Sequence, residues 1–215
     1  MGVTVMVLGR SGSGKSTSLR NFQPGEVGVF NVLGKPLPFR ARLQTVDRPD
    51  YGLITRTLQA NRKRAYVIDD STYLMQNENF DRAQEKGYDK FTEMAVSFKK
   101  LIDVALETSR DTVVYFLHHS DVTDMGEERI KTVGKMLDQQ FCVEGAFPIV
   151  IDARVADGRH VFVTRNDGHN LAKAPMGMLE PVMDNDLRAV DSAIRDYWGL
   201  APIRDDAPQG AGEAA

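Results

Sequence analysis

Eight consecutive residues concentrate the groups that bind phosphate: Gly9-Arg10-Ser11-Gly12-Ser13-Gly14-Lys15-Ser16. Each place in the spacing G-x-x-x-x-G-K-[ST] has a physical reason. The glycines let the backbone curl until several N–H groups face one phosphate, and a helix opening directly afterwards adds its positive end. The Lys15 ammonium neutralises the β- and γ-phosphates, the Ser16 hydroxyl ligates magnesium, and Thr17 stands next in line for the α-phosphate. The pattern falls between an apolar run and a helix start, which a flexible Gly/Ser linker would not require. Residues 9–17 are therefore expected to bind ATP or a close relative with Mg2+, and to hydrolyse it.

A bound metal–triphosphate also needs a carboxylate. Asp69 closes the run Ala65-Tyr66-Val67-Ile68 and would hold the magnesium directly or through water. Asp70 follows at once, and two readings of it stay open. It is either the general base for the attacking water, one methylene shorter than a glutamate, or a turn-capping side chain leading into Ser71-Thr72. His118 and His119 end another apolar run. One of them would sense the terminal phosphate, or the pair is a hydrogen-bonded strand-end histidine with an exposed neighbour. No second His or Cys pair stands at zinc-ligand spacing. Arg165 and Lys173 would either reach a neighbouring copy's terminal phosphate or serve as surface charge. The expected catalytic set is Lys15, Asp69, Asp70 and His118, with Ser16 and Asp69 on the metal.

These groups need elements to hold them. Residues 3–8 read as a buried strand, 15–22 as the helix the glycine loop opens, and 26–32 as a second strand. The Gly/Pro-rich stretch 33–39 can be neither central strand nor helix, so it is expected as a surface loop near the nucleotide. A short strand at 43–46, a helix at 50–61 and a core strand at 65–70 follow. Residues 75–90 are polar and without a clear period, and are expected to be a mobile segment. The best amphipathic helix spans 88–109, with Phe91, Met94, Ala95, Phe98, Leu101, Ile102 and Ala105 at helical spacing. Residues 112–117 are another buried strand. Residues 147–155 and 159–164 flank Ala156-Asp157-Gly158, a hairpin signal. Residues 170–181 read as loop, and 184–198 as a helix capped by Asp184 or Asn185. Alternating strands and helices predict an α/β fold with a mainly parallel sheet flanked by helices, extended by a C-terminal antiparallel hairpin. One domain is expected over 1–200, with 201–215 a disordered tail.

Composition is compatible with this. The chain has 215 residues, 42% hydrophobic and 27% charged, with a formal charge of −3. No apolar run approaches the roughly 18 to 20 residues that a membrane span requires, so a cytoplasmic protein with no membrane partner is expected. Residues 3–8 read as a strand and not a leader, and Met6 stands where N-myristoylation of Gly2 would need Ser or Thr. The single cysteine, Cys142, cannot close an internal disulfide and reads as a small core hydrophobe in a reducing compartment. The negative balance argues against a DNA-coating domain, yet local basic clusters occur at Arg40/Arg42, Arg62-Lys63-Arg64, Lys99-Lys100 and Arg129/Lys131/Lys135. Each is either a phosphate track or a solvated face.

The loop 9–16, the Tyr66-Val67-Ile68-Asp69 strand, the strand ending in His118, and the Gly134-Lys135 and Lys173-Ala174-Pro175 turns together resemble phage-encoded RecA-like P-loop ATP-binding proteins, over about residues 1–200. Among these the chain is most similar to Sak-type single-strand annealing ATPases. The resemblance implies a RecA-like core, a homo-oligomer, single-stranded DNA as partner, a single-strand binding protein as a further candidate, and the cytoplasm of a bacterial host. It also marks a departure: such enzymes place a catalytic glutamate after the second strand, whereas this chain has Asn31 and no acid between Val27 and Val46. The 75–90 segment and the 129–135 stretch are the candidate DNA loops. Two other functions share the phosphate loop, a small-molecule kinase and a nucleotide-gated adaptor such as a helicase loader. A kinase would need an acceptor pocket and usually an arginine-bearing lid, where this chain has a β-hairpin.

Overall fold

The computed structural model describes residues 1–40 and 43–203. The expected tail lies outside the described residues from 204 onward, as does Arg42 of the first basic cluster.

Strand β1 (Val3–Gly9) is buried along almost its whole length and lies at the centre of a nine-stranded sheet. Its parallel neighbours are β5 (Val113–Val122) on one side and β7 (Ile149–Ala156) on the other. Beyond β5 follow β4 (Ala65–Asp69), β2 (Gly28–Asn31) and β3 (Thr45–Asp47), all parallel. Beyond β7 the direction reverses in β8 (Arg159–Val163) and β9 (Val182–Asp184). The near-continuous apolar runs of β1, β4 and β5 are what strands covered on both faces require. The β7–β8 hairpin turns on Asp157 and Gly158, both at positive φ (51° and 74°), the backbone that an Asp-Gly pair tolerates best.

Side-chain alternation sorts each strand between two cores. Met6 and Leu8, Tyr66 and Ile68, and Val114 and Phe116 face one layer, built from α1 (Tyr51–Ala60), α2 (Thr72–Asp81), α3 (Asp89–Leu106) and α4 (Lys135–Gln140). Val5 and Val7, Ala65 and Val67, and Tyr115 and Leu117 face the other, covered by the short helix Ser16–Asn21 and by α5 (Leu187–Trp198). On α3 the predicted stripe is buried from Met94 to Ala105, with Phe91 partly covered. The second layer is tied by a buried polar cluster. Tyr115 Oη donates to Asp191 at 2.8 Å, Arg195 Nε donates to the same carboxylate at 2.6 Å, and the rest of the guanidinium reaches the carbonyls of Arg64, Asp111 and Ala201. One side chain thereby joins α5 to the chain entering β4 and β5.

Several expectations change. The segment expected to be mobile begins as α2, whose apolar residues Tyr73, Leu74 and Met75 are adjacent instead of periodic, so no stripe announces the helix. Its end is held by Arg82, paired with Glu78, Glu85 and Glu93. Strand β5 does not stop at His118 and His119 but runs on to Val122 and turns back through β6 (Glu128–Ile130), so the expected 129–135 loop begins as strand and is irregular only over 131–134. The last helix is capped by Asp186, which accepts from the N–H groups of Arg188 and Ala189, and not by Asp184 or Asn185. Asp184 instead closes the short strand β9. Cys142 is exposed, donating to Glu144 at 3.0 Å, while the adjacent Val143 takes the core position. Among the described residues, no helix is long and apolar enough to cross a membrane.

Candidate functional site

The carboxyl ends of β1, β4 and β5 meet around a cavity of about 380 Å3, walled by residues 11–17 and 35–38 and by Asp69, Asp70, His119 and His160. A crevice at this end, where the chain leaves β1 toward β2 on one side and leaves β5 toward β7 on the other, is where open α/β sheets receive ligands. Because β5 lies between β1 and β4, the loop after Gly9 and the carboxylates after Ile68 face each other across one intervening strand.

The loop itself depends on missing side chains. A Cβ at Gly9 would lie 2.5 Å from the Ala153 carbonyl, and one at Gly14, where φ is 98°, would lie 2.9 Å from the His160 ring. The helix that follows is only six residues long and wound with the tighter three-residue period. A helix so short adds little dipole, so the loop's own N–H groups have to supply most of an anion cradle.

Lys15 is buried and its three ammonium protons all have acceptors: the Gly9 carbonyl at 2.7 Å, the Arg10 carbonyl at 3.1 Å and His119 Nδ1 at 3.5 Å. Burial lowers its pKa to about 8, against the opposing pull of Asp70 and Asp69. Ser16 Oγ donates to Asp69 Oδ1 at 2.8 Å. Burial and the neighbouring Asp70 charge raise Asp69 to about 6, the Ser16 hydrogen bond pulling the other way. Ser16 and Asp69 therefore present a hydroxyl and a carboxylate oxygen side by side. That donor set fits magnesium, which takes one or two protein oxygens and completes its shell with water and phosphate. Among the described residues no group of three or more His, Cys, Asp or Glu side chains forms an all-protein cage. Thr17 lines the cavity beside Ser16.

Asp70 adopts a left-handed backbone, φ 62°, which turns its side chain into the cavity instead of over the start of α2. One oxygen lies 3.2 Å from His119 Nε2 and the other 2.9 Å from Lys35 Nζ. Burial pushes its pKa up, but the hydrogen bonds from His119 and Lys35 outweigh that and leave it below the ordinary carboxylate value. The helix-capping alternative is not what this side chain does, since α2 receives no side-chain cap.

The two histidines part company. His119 shares the face of Leu117 and Tyr115 and joins Lys15 to Asp70. His118, the one expected to be catalytic, points to the opposite face and stacks near Phe98 of α3 at 5.5 Å. There Nδ1 lies 2.9 Å from Ser71 Oγ and Nε2 2.9 Å from the Lys131 carbonyl, which can only accept, so the neutral ring carries its proton on Nε2. Burial lowers its pKa to about 4. Adjacent strand residues face opposite ways, so at most one of the pair could meet the loop.

Asn31, standing where the resemblance implies a glutamate, donates its amide N–H groups to the Lys35 carbonyl at 2.8 Å and to Asp47 Oδ1 at 2.9 Å. It pins the 33–39 loop against the cavity. Arg165 and Lys173 are exposed, and Lys173 pairs its backbone with Val150 beside β7.

No protein-family model matches this chain, and no curated protein matches it in sequence. The site's meaning therefore rests on its own geometry.

Two residues escaped the sequence reading, Lys35 and His160 over Gly14, and within the histidine pair the sequence did not distinguish His119 as the partner of Lys15. The 33–39 loop was recognisable as a neighbour of the nucleotide from its glycine and prolines, but nothing in its spacing singled out the lysine.

Proposed function

We propose that this protein is a magnesium-dependent P-loop ATPase of the RecA-like kind. The observation that carries the reading is the convergence of Asp69 with the adjacent Lys15 and Ser16, some 53 positions earlier in sequence, on one cavity, with the Ser16 hydroxyl 2.8 Å from the Asp69 carboxylate. Lys15 would give up the Gly9 and Arg10 carbonyls for phosphate oxygens. Ser16 and Asp69 would hold magnesium, which supplies charge neutralisation on the transferring phosphate. Asp70 would orient a water, with His119 holding one of its oxygens. The rest of the loop contributes backbone N–H groups that need no reorganisation.

Single-stranded DNA is the proposed partner. Supporting it, β5 runs without a break from His119 into the β5–β6 hairpin, where Arg129, in a long 3.5 Å pair with Asp121, and Lys131, just after β6, are exposed. The other clusters fit less well: Lys63 and Arg64 sit at the opposite end of the sheet on the Gly25 and Pro202 carbonyls, and Lys99 pairs with Asp103. Arg165 and Lys173 stay open as contacts to a neighbouring copy in a homo-oligomer.

One feature favours a kinase instead: a second cavity of about 600 Å3 abuts the outer side of residues 9–13 and includes Glu128, Asp152, Arg154 and His169. An acceptor could enter there. Steady-state ATP hydrolysis with magnesium, with and without single-stranded DNA, separates the readings. DNA stimulation that Lys15→Ala abolishes supports the DNA-directed ATPase, whereas hydrolysis indifferent to DNA, or absent without a small-molecule acceptor, overturns it.

A further inference from the structure

The cavity holds two lysines. Lys15 comes from the glycine loop and is buried, whereas Lys35 comes from the loop between β2 and β3 with a side chain that is 60% exposed. Its backbone is fixed, because its carbonyl accepts from Asn31 and Pro36 follows. Its ammonium is not: a four-carbon stem leaves it free to swing about a held Cα, and at present it lies 2.9 Å from Asp70 Oδ2. Lys15, His119, Asp70 and Lys35 thus form a continuous polar chain across the cavity. Its Lys35 end lies beyond the carboxylates as seen from the glycine loop.

This placement matters for Asp70. A carboxylate with one oxygen on His119 and the other on a lysine keeps lone pairs to spare, but the Lys35 ammonium occupies the Oδ2 side and weakens that oxygen as an acceptor for a water. Lys35 is the one exposed side chain of the four, the other three being largely buried. A phosphate chain held by Lys15 and by the pair Ser16 and Asp69 would bring its third phosphate, and not its second, to the side where Asp70 and Lys35 stand.

Resting on the reading of this cavity as a nucleoside-triphosphate site, we propose that Lys35 is the residue that distinguishes triphosphate from diphosphate. It exchanges the Asp70 carboxylate for the terminal phosphate, and in leaving frees Asp70 to hold the attacking water. One movement thus couples recognition of the third phosphate to arming of the base.

The test is equilibrium binding by calorimetry, on the full chain with magnesium, of ADP and of the non-hydrolysable β,γ-imido analogue of ATP. Lys35→Ala is expected to lose about tenfold or more of the preference for the triphosphate while ADP affinity changes less than about twofold, as befits one charge-assisted contact. Lys35→Arg should keep most of the preference. The same comparison in an Asp70→Asn background removes the repulsion that an unpaired Asp70 would add, and the loss should persist there. A preference unchanged by Lys35→Ala, or a loss that disappears in the Asp70→Asn background, overturns the proposal. If the parent protein binds neither nucleotide, the proposed function itself fails, a result distinct from either of these.

Discussion

Ser16 and Asp69, 53 positions apart, meet through a 2.8 Å hydrogen bond in which the hydroxyl donates to a largely buried carboxylate. Neither residue has another described side-chain partner, so the pair is organised around each other or around a cation that both can hold. Asp69→Asn keeps the shape but removes the charge. Magnesium-dependent hydrolysis should fall about a hundredfold or more, while the thermal midpoint is unchanged or rises, since an uncharged group at this buried place no longer opposes Asp70. Coupled hydrolysis assays and a melting scan read the two effects.

Opposite effects are expected from the adjacent histidines. His119→Ala removes a group that holds both Lys15 and Asp70 and should lower hydrolysis about tenfold to a hundredfold with little loss of stability. His118→Ala empties a buried position and strips the Lys131 carbonyl of its side-chain donor, leaving Ser71 Oγ only the Leu117 carbonyl, and should cost about 2–4 kcal/mol of stability. Urea unfolding and hydrolysis measured on the same preparations check the division; equal behaviour of the two variants would refute the face assignment.

His118 also sets a pH dependence. In the fold it stays neutral down to about 4, whereas the unfolded chain takes up a proton near the ordinary histidine value of 6.5. Between those values the unfolded state binds more protons, so stability is fully present above about pH 6.5 and is lost as pH falls toward 4, by about 3 kcal/mol. Urea midpoints at pH 7 and pH 5 should separate less in His118→Gln than in the parent.

Arg195 is buried against Asp191 and three carbonyls. Arg195→Met leaves the Asp191 carboxylate with Tyr115 alone, and breaking such a pair from one side costs about 3–5 kcal/mol. Replacing Arg195, Asp191 and Tyr115 together by Met, Leu and Phe should recover much of that loss, as followed by thermal unfolding.

For the DNA reading, Arg129→Glu with Lys131→Glu should weaken single-stranded DNA binding and flatten its salt dependence by about one to two in log–log slope. Affinity unchanged across a salt titration would remove the hairpin from the interface.

Residue order by itself determined most of the scaffold and half of the site. Apolar runs such as Val5-Met6-Val7-Leu8 and Val67-Ile68 can be satisfied only as covered strands, and the α3 stripe only as a helix against them, because burial of apolar surface is set by local period. The glycine loop was legible for a similarly local reason, since its backbone curl depends on the positive φ that Gly9, Gly12 and Gly14 adopt. Tertiary structure decided the rest. Which of His118 and His119 meets Lys15 depends on the sheet face over which residues 10–17 fold back, and alternation along β5 cannot report that without β1 beside it. Lys35 becomes a site residue only because Asn31 pins its loop and Asp70 turns through a left-handed backbone toward it. Helix α2, with its apolar residues side by side, is recognisable only once α3 and the sheet exist to cover them. Local chemistry writes itself into spacing, whereas a contact across a sheet is made by strand order and facing, which no short stretch of chain contains.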